Sequence, residues 1–415
     1  MLSNVTRSFR HRDFRLLWTG AFLSFTGSWI QQIAQGWLVL ELTHDYAKVG
    51  LVAFCGMAPV TVLGPFAGTL ADTFDRRRLL VLAQLIFGCG ALFLFLAIHF
   101  EFIQYYQILI VATIGGVTGA FEMPTRQSII SRVVPPEDLA AAIPLNAMTF
   151  NGARIIGPTI GAFLLKHFGA ASCYALNAVS YFGLIFAALM IRSDLRAVAR
   201  EPMPIGDLLF EGMKFIFRDP RLRLLFIMEA TVSGFGLVYL SQMPAFVKDN
   251  LLLKEEGLGL AFTFVGIGAV LGLILAAGMA QSKHKGTLVG GAMASMGAAL
   301  VALTFLRGIW VFPLLSIVGG AAIIQFNTTN ALFQTMSPER LRGRVISMHV
   351  WALAGMGPIG ALLFGYIAEN TKTKHDYPFA GIPLVLFLGG LIVLAGAVWG
   401  FTQRKYLRDL TPLKA

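Results

Sequence analysis

The amino-acid sequence predicts an all-α integral membrane protein with twelve transmembrane helices in two six-helix bundles related by a parallel pseudo-repeat. Apolar residues make up 56% of the 415 residues and charged residues only 13%, so the chain carries more apolar surface than a water-soluble core can bury. Apolar stretches long enough to cross about 30 Å of hydrocarbon recur along the chain. Basic residues collect in alternate loops between them.

Twelve apolar stretches have the length of a membrane-spanning helix when charged and turn residues delimit them. An even number of spans places both termini on the same side of the membrane. The predicted spans lie near residues 16–40, 47–71, 79–99, 105–126, 141–165, 171–191, 221–247, 257–281, 288–307, 310–334, 344–369 and 379–402.

The distribution of Lys and Arg predicts the orientation. One set of alternate loops, with both termini, carries 25 of these residues and the other set carries 7. Since cytoplasmic loops hold the excess of basic residues, we expect a multi-pass protein of the cytoplasmic (inner) membrane with both termini in the cytoplasm. Four arginines precede the first span without a small-residue cleavage site, which predicts an uncleaved start.

A short charged segment separates the second and third predicted spans. It reads Gly68-Thr69-Leu70-Ala71-Asp72-Thr73-Phe74-Asp75-Arg76-Arg77-Arg78. This segment resembles the motif Gly-x-x-x-Asp-(basic)-x-Gly-(basic)-(basic) of the major facilitator superfamily, and its ending resembles the branch that includes macrolide-efflux proteins and the enterobactin exporter. Two positions depart from the motif: Thr73 replaces a basic residue and Asp75 replaces a glycine. The positions that match are Gly68, Asp72, Arg76, Arg77 and Arg78.

The resemblance implies a conformational latch at the cytoplasmic face. In the family the motif aspartate, here Asp72, docks against the start of the eleventh span when the cytoplasmic side is closed. That start lies near Gly343-Arg344-Val345, and a helix N-terminus attracts a carboxylate through its partial positive charge. We assign the matching motif residues to this latch.

The two halves of the chain resemble each other. Pro136-Glu137-Asp138-Leu139, followed by Gly157-Pro158, is echoed by Pro338-Glu339-Arg340-Leu341 and Gly357-Pro358, as expected for two bundles related by a parallel repeat. We predict an N-terminal bundle over residues 1–191, a cytoplasmic linker over 192–220, a C-terminal bundle over 221–402 and a cytoplasmic tail over 403–415.

The linker contains apolar residues at helical spacing. They predict an amphipathic helix on the membrane surface, with a plain apolar linker as the alternative. They are Ile205, Leu208, Leu209, Gly212, Met213 and Ile216.

Three ionisable residues inside predicted spans are candidates for proton coupling, because such residues mark ion and proton pathways. They are Arg154, Glu229 and Glu122. The alternatives are a structural cation for Arg154, a buried hydrogen-bonded acid for Glu229, and an ion pair with Arg126, four residues on, for Glu122. We interpret His349 as a packing histidine, with titration near neutral pH as the alternative.

The segment from Asn151 to Ala162 resembles the Gly-Pro-x-x-Gly signature of facilitator-superfamily antiporters. Its glycines permit close helix approach and its proline permits a bend. Simple helix packing is the alternative to a pivot. We add Gly157, Pro158 and Gly161 to the latch residues.

Polar and aromatic residues on faces of the first, fifth and tenth spans predict a substrate cavity. Amides bind a substrate through several hydrogen bonds without fixing its charge, although buried amides also tie helices together. The predicted cavity residues are Ser28, Trp29, Gln32, Gln35, Asn151, Arg154, Phe326, Asn327 and Asn330.

The resemblance and these residues predict a secondary active transporter, a proton-coupled exporter (antiporter) of amphiphilic small molecules such as drugs or siderophores that works by alternating access. Uptake or lipid transport by the same fold is the first alternative, and a membrane enzyme or receptor is the second. Phosphate-loop, His-Glu-x-x-His and Gly-x-Ser-x-Gly motifs do not occur. We therefore expect no enzyme activity, cofactor, metal or nucleic-acid partner, and a protein that functions as a monomer with its substrate, protons and the bilayer.

Overall fold

The structure, a computed structural model, describes residues 6–196, 205–279, 282, 284–372 and 380–408. Side chains are described throughout these ranges except at 6, 65–73, 140, 144, 147, 205–210, 339, 340, 404 and 408. Every regular element in the described part of the chain is helical, which agrees with the all-α prediction.

The described residues form fourteen α-helices, three short 3₁₀ turns and two π-helical segments. The 3₁₀ turns are Thr6–Arg10, Pro136–Asp138 and Gly308–Trp310, and the π segments are Val232–Gly236 and Phe246–Asn250. The α-helices are α1 Arg12–Thr43, α2 Tyr46–Thr73, α3 Arg76–His99, α4 Tyr105–Val133, α5 Leu139–Met190, α6 Ile205–Arg218, α7 Pro220–Thr231, α8 Val238–Ala245, α9 Glu255–Gly278, α10 Lys285–Phe305, α11 Val311–Met336, α12 Glu339–Thr371, α13 Ile382–Thr402 and α14 Arg404–Arg408.

Ten helical stretches of the described chain are long and apolar enough to cross a membrane. One of them, Ala141–Met190, contains 50 residues, about twice the length that a single span needs. Gly169 interrupts it with a backbone φ of 75°. Helix α1 has 32 residues but is not among the ten, because its glutamines lower the mean hydropathy. The structure confirms a multi-pass all-α membrane protein, and the number of twelve spans stays a prediction.

The chain forms two compact units. The first comprises Met1–Thr43 and Pro59–Pro202, and the second comprises His44–Ala58 and Met203–Ala415. The first part of α2 therefore belongs to the second unit, a feature that the sequence-based boundaries do not contain.

The first unit is built on the packing of α1, α3, α4 and α5. Glycines allow close approach between α1 and α5: a Cβ atom at Gly20 would lie 2.9 Å from the Cβ atom of Ala187. Small residues at such crossings are typical of membrane helices, which gain their association from close packing. The buried core of this unit includes Phe14, Leu17, Leu80, Ile129, Val133 and Leu184.

The second unit repeats this principle. Helix α9 packs on α11, where a Cβ atom at Gly320 would lie 2.8 Å from the carbonyl oxygen of Gly268. Helix α10 packs on α13, where a Cβ atom at Gly297 would lie 2.8 Å from the carbonyl oxygen of Gly390. Because side chains larger than hydrogen would separate these backbones, the glycines set the helix spacing.

Candidate functional site

The charged motif begins helix α3. Asp75 is its N-cap, and its Oδ1 accepts hydrogen bonds from the backbone N–H groups of Arg77 (2.9 Å) and Arg78 (3.1 Å). Aspartate is among the preferred N-cap residues because its carboxylate satisfies free N–H groups of the first turn. The aspartate that departs from the family motif therefore has a local structural role.

Two motif arginines bind the chain that follows α5. Nη2 of Arg77 donates to the carbonyl oxygen of Ile191 at 2.6 Å. The buried Arg76 donates from Nε to Oγ of Ser128 and from Nη1 to the carbonyl oxygen of Arg196, both at 2.9 Å. Cationic side chains stabilise the free carbonyls beyond a helix C-terminus. These arginines thus hold the end of the first bundle, while the side chain of Arg78 is exposed.

The Asp13 carboxylate binds N–H and O–H donors of the same segment. Its Oδ2 accepts from the N–H groups of Arg192 (2.9 Å) and Ser193 (2.8 Å) and from the Ser193 hydroxyl (2.7 Å). Burial alone would raise the pKa of this carboxyl, but the hydrogen bonds from Ser193 and Arg192 and the charge of Arg12 outweigh it and lower the pKa. At the start of the linker, Asp13 therefore binds backbone N–H groups, and the motif arginines bind backbone carbonyl oxygens.

The latch assignment of Gly68 and Asp72 concerns side chains that lie outside the described ones. Their backbone belongs to the last part of α2. The docking of Asp72 stays a prediction.

The Gly-Pro-x-x-Gly segment lies where α5 crosses α1. A Cβ atom at Gly157 would lie 3.0 Å from the carbonyl oxygen of Thr26, and one at Gly161 would lie 3.2 Å from Cα of Ile30. Pro158 is buried. The contacts agree with the helix-packing alternative, and a pivoting role stays a prediction.

Arg154 lies on α5, one turn before this crossing. Its guanidinium carbon is 6.0 Å from the centroid of the Trp29 ring, at the limit of a cation–π contact. Within the described part of the chain, no carboxylate forms an ion pair with it. The pair brings two predicted cavity residues of the first unit together.

A buried polar network occupies the interior of the first unit beside these residues. Asn177 donates from Nδ2 to Oε1 of Gln31 (2.7 Å) and to the Tyr181 hydroxyl (3.2 Å), which also contacts Oγ of Ser28 at 3.2 Å. Oγ of Ser24 donates to Oε1 of Gln84 at 3.0 Å on the neighbouring α3. The predicted Ser28 is therefore part of a network that ties helices together.

Sequence reasoning missed the network partners on the other helices. Asn177 and Gln84 are almost fully buried, and each lies in a long apolar run. A single amide side chain within a long apolar stretch could have indicated such a partner, because polar side chains inside a membrane hydrogen-bond to neighbouring helices.

The remaining predicted cavity amides are more exposed. Gln32 is exposed and Gln35 is half-buried in the first unit, as is Asn151. In the second unit Asn327 is exposed, and its Nδ2 donates to the carbonyl oxygen of Ile323 at 2.9 Å. Phe326 and Asn330 are half-buried, and Oδ1 of Asn330 accepts from Gln334 at 2.7 Å. Gln32 and Asn327 therefore have the most exposed side chains among the predicted cavity amides.

Glu122 forms the ion pair that its spacing from Arg126 allows. The Arg126 Nε atom lies 3.0 Å from Oε1 of Glu122, and its Nη1 donates to Oδ1 of Asn146 at 3.3 Å. The guanidinium carbon also lies 4.4 Å from the centroid of the Phe25 ring. With its charge compensated and its partner held by two further contacts, Glu122 fits the structural alternative better than a proton carrier.

Glu229 is fully buried on α7 and contacts a histidine that sequence analysis interpreted as packing. Its Oε2 lies 2.7 Å from Nδ1 of His349 on α12. The other carboxylate oxygen, Oε1, is buried and has no hydrogen-bond partner among the residues that the structure describes. A carboxylate held by a single imidazole and otherwise shielded from water is an uncommon arrangement inside a membrane span.

The backbone changes geometry directly after this pair. Residues Val232–Gly236 form a π-helical segment, and the Ser233 hydroxyl donates to the carbonyl oxygen of Leu353 on α12. Single π turns inside helices occur frequently at functional sites. The segment thus connects the helix of Glu229 to the helix of His349 at a second point.

The second unit also contains a polar cluster around the first residue of α2. The Tyr46 N–H donates to Oε2 of Glu369, and the Tyr46 hydroxyl donates to Oδ2 of Asp249, both at 2.8 Å. Lys372 forms an ion pair with Glu369 and donates to the carbonyl oxygen of His44 at 2.8 Å. Glu369 therefore satisfies a free N–H group at the start of α2 from a position 323 residues away.

Among the described residues, no group of three or more His, Cys, Asp or Glu side chains has the geometry of a metal site.

Comparison with known proteins identifies a family and a set of relatives. Residues 4–405 match a family described as transmembrane secretion effectors. The staphyloferrin A transporter of Staphylococcus aureus is 26% identical over 381 residues, covering 89% of this chain and 93% of the relative. The multidrug efflux pump Tap of Mycolicibacterium fortuitum is 25% identical, covering 89% of this chain and 93% of the relative. The enterobactin exporter of Shigella flexneri is 24% identical, covering 95% of this chain and 94% of the relative.

Solved structures share the fold at low sequence identity. A bacterial homologue of the human lysosomal transporter Spinster superposes with a TM-score of 0.72 at 14% identity, over 98% of this chain and 99% of that one. A D-xylose-proton symporter superposes with a TM-score of 0.73 at 14% identity, over 98% of this chain and 100% of that one. The relatives and the structural neighbours are transporters and not enzymes.

Proposed function

Because the chain belongs to the major facilitator superfamily, and within it to the transmembrane secretion effectors, we propose that it is a proton-coupled exporter of amphiphilic small molecules such as siderophores or drugs. Relatives named for siderophore and multidrug transport support this substrate class. Their names describe those proteins, and the substrate of this chain belongs to the proposal.

The observation that carries proton coupling is the pair of Glu229 and His349. Its oxygen and nitrogen atoms are 2.7 Å apart, and burial of a carboxylate in hydrocarbon is costly unless it has a function or a full set of partners. Since Oε1 of Glu229 has no hydrogen-bond partner within the described part of the chain, a purely structural bridge explains the pair poorly. Glu229 is our candidate for the residue that binds and releases the transported proton.

The proposed architecture has twelve spans in two bundles. The break at Gly169 divides the 50-residue stretch into two spans, which raises the number from ten to eleven. Helix α1 is the twelfth span, although its polar residues lower its mean hydropathy. The basic loops favour the bacterial inner membrane with both termini in the cytoplasm. The two bundles would alternate between inward- and outward-open states, with one chain sufficient for transport.

Substrate would bind through amides and aromatic rings. In the first unit the candidates are Trp29, Gln32, Asn151 and Arg154, and in the second unit Asn327 belongs to the same class. Exposed amides offer donors and acceptors without a fixed charge, and the Arg154 guanidinium can bind an anionic group such as a siderophore carboxylate.

Purified protein in proteoliposomes with an imposed pH gradient and an internal pH dye tests this function. The panel comprises catecholate and carboxylate siderophores and amphiphilic drugs. We expect members of the panel to dissipate the gradient with wild-type protein and not with Glu229→Gln. If the folded protein transports a compound of the panel and no protons move, proton coupling is wrong. If the folded protein transports no compound of the panel, uptake or lipid transport becomes the better function.

A further inference from the structure

We infer that His349 is the relay through which protons reach and leave Glu229. This inference rests on the proposed function and adds a residue that sequence analysis interpreted as packing. It assigns the imidazole a positioning and proton-transfer role, with the proton itself as the ligand.

Both members of the pair are buried, and the imidazole is the hydrogen-bond partner of Glu229 among the described residues. Nδ1 of the ring points to the carboxylate at 2.7 Å, and Nε2 lies on the opposite edge of the ring. A proton that moves between water and Glu229 therefore has the imidazole as its bonded route.

Proton transfer through the ring conserves the number of protons and needs no movement of either side chain. In the loaded state Glu229 is protonated and donates to Nδ1 of a ring that carries its proton on Nε2. On release, the carboxyl proton passes to Nδ1 and the Nε2 proton passes to water, which leaves a carboxylate that accepts from Nδ1–H. Loading is the reverse, so each passage restores the tautomer that the next one needs.

Several elements that pack around the pair carry no charged residue. Helices α11 and α13, which pack on α7, contain no Asp, Glu, Lys, Arg or His, and the π segment contains none. On α12, Arg344 forms an ion pair with Glu211 of α6, and on α7 Arg221 forms one with Asp219. The other ionisable groups described on the packed elements are Arg223, Lys214, Arg218, Arg342, Tyr239, Tyr366, Glu369, Lys405 and Tyr406.

The position along the helices agrees with exchange at the cytoplasmic side. Glu229 lies nine residues after the start of α7 and His349 ten residues after the start of α12, which corresponds to depths of about 14 and 15 Å at 1.5 Å per residue. Under the predicted orientation both helices begin in the cytoplasm. His349 would then control release of the proton that drives export.

A pH jump on the purified full-length protein tests the relay with protons as the only probe. Infrared detection of the carboxyl C=O band reports protonation, and loss of the band in Glu229→Gln assigns it. In asparagine the amide nitrogen stands where histidine has Nδ1, so His349→Asn keeps a donor to Glu229 and removes the relay. We expect the band to keep its amplitude in His349→Asn while its rate of appearance falls roughly tenfold or more.

His167→Gln is the matched control, because His167 is exposed on α5; it should give the wild-type rate. An unchanged rate in His349→Asn, in a protein of wild-type melting temperature, would overturn the relay. If His349→Asn does not fold, His349→Gln serves for the same comparison. A wild-type band that survives in Glu229→Gln would instead remove Glu229 from the proposed function, so the two failures are distinguishable.

Discussion

Nδ1 of His349 lies 2.7 Å from Oε2 of Glu229, and the repeat places no such pair in the first half of the chain. Alignment of Phe9–Leu17 with Phe217–Leu225 puts Ala21 opposite Glu229. Conversely, alignment of the two Gly-Pro pairs puts Ala354 opposite Arg154. The two aligned sequence halves thus differ in their ionisable residues, which favours separate tasks for each half.

Arg154→Ala should abolish uphill transport and leave the protein folded. The guanidinium contacts Trp29 and has no carboxylate partner among the described residues, so its removal breaks no ion pair there. We expect transport against a gradient to fall by more than about tenfold, equivalent to about 1.4 kcal/mol. Arg154→Lys keeps the charge and should retain part of the activity. Wild-type transport by Arg154→Ala would remove this residue from the mechanism.

Gly157→Ala should lower the melting temperature of the protein. The added methyl group would lie 2.5 Å from the Trp29 Cβ atom and 3.0 Å from the Thr26 carbonyl oxygen, and overpacking of this kind costs about 1–3 kcal/mol. Gly115→Ala is the matched control, since its nearest neighbour would be Phe87 at 3.8 Å. Equal melting temperatures of the two variants would show that α5 moves away from α1 at little cost.

Arg77→Gln should destabilise the end of the first bundle, whereas Arg78→Gln should not. Arg77 donates to the carbonyl oxygens of Ile191 and Ser193, and hydrogen bonds from a charged donor contribute about 1.5–3 kcal/mol each when buried. Faster proteolysis after residue 191 in Arg77→Gln is the expected result. The same cleavage rate in both variants would contradict the assigned role of Arg77.

Asp13→Asn should remove an acid-sensitive part of the stability. The pKa of Asp13 is lower in the folded chain than its usual value of 3.8. Its contribution is therefore complete above about pH 4 and is lost as the pH falls through the folded-state pKa. At neutral pH we expect Asp13→Asn to cost about 1 kcal/mol, a small value because the carboxylate is partly exposed. Thermal melts at neutral and acid pH measure both effects, and an equal loss at every pH would contradict the charge-based account.

The sequence predicted the all-helical class well, because long apolar stretches of local sequence determine it. The orientation inferred from the basic loops stays a prediction. The sequence analysis did not name the N-caps of α3 and α7, Asp75 and Asp219, although aspartate is a preferred residue at that position. The partner of Asp75 lies two residues away, so no tertiary information is needed to place it.

The candidate site was less predictable, because its partners are distant in the chain. Glu229 and His349 are 120 residues apart, and sequence alone gives no register between α7 and α12. Glu122 shows the opposite case, since its partner Arg126 is four residues away and was named from spacing. The contact of Tyr46 with Glu369, across 323 residues, had no local signal in either residue.

The most direct test of proton-coupled export reverses the driving force. Proteoliposomes with equal pH on both sides receive a gradient of a transported siderophore or drug, and the internal pH is recorded. We predict that wild-type protein moves protons against the substrate flow and that Glu229→Gln carries substrate without a pH change. Substrate movement by the wild-type protein with no change of internal pH would contradict the central claim.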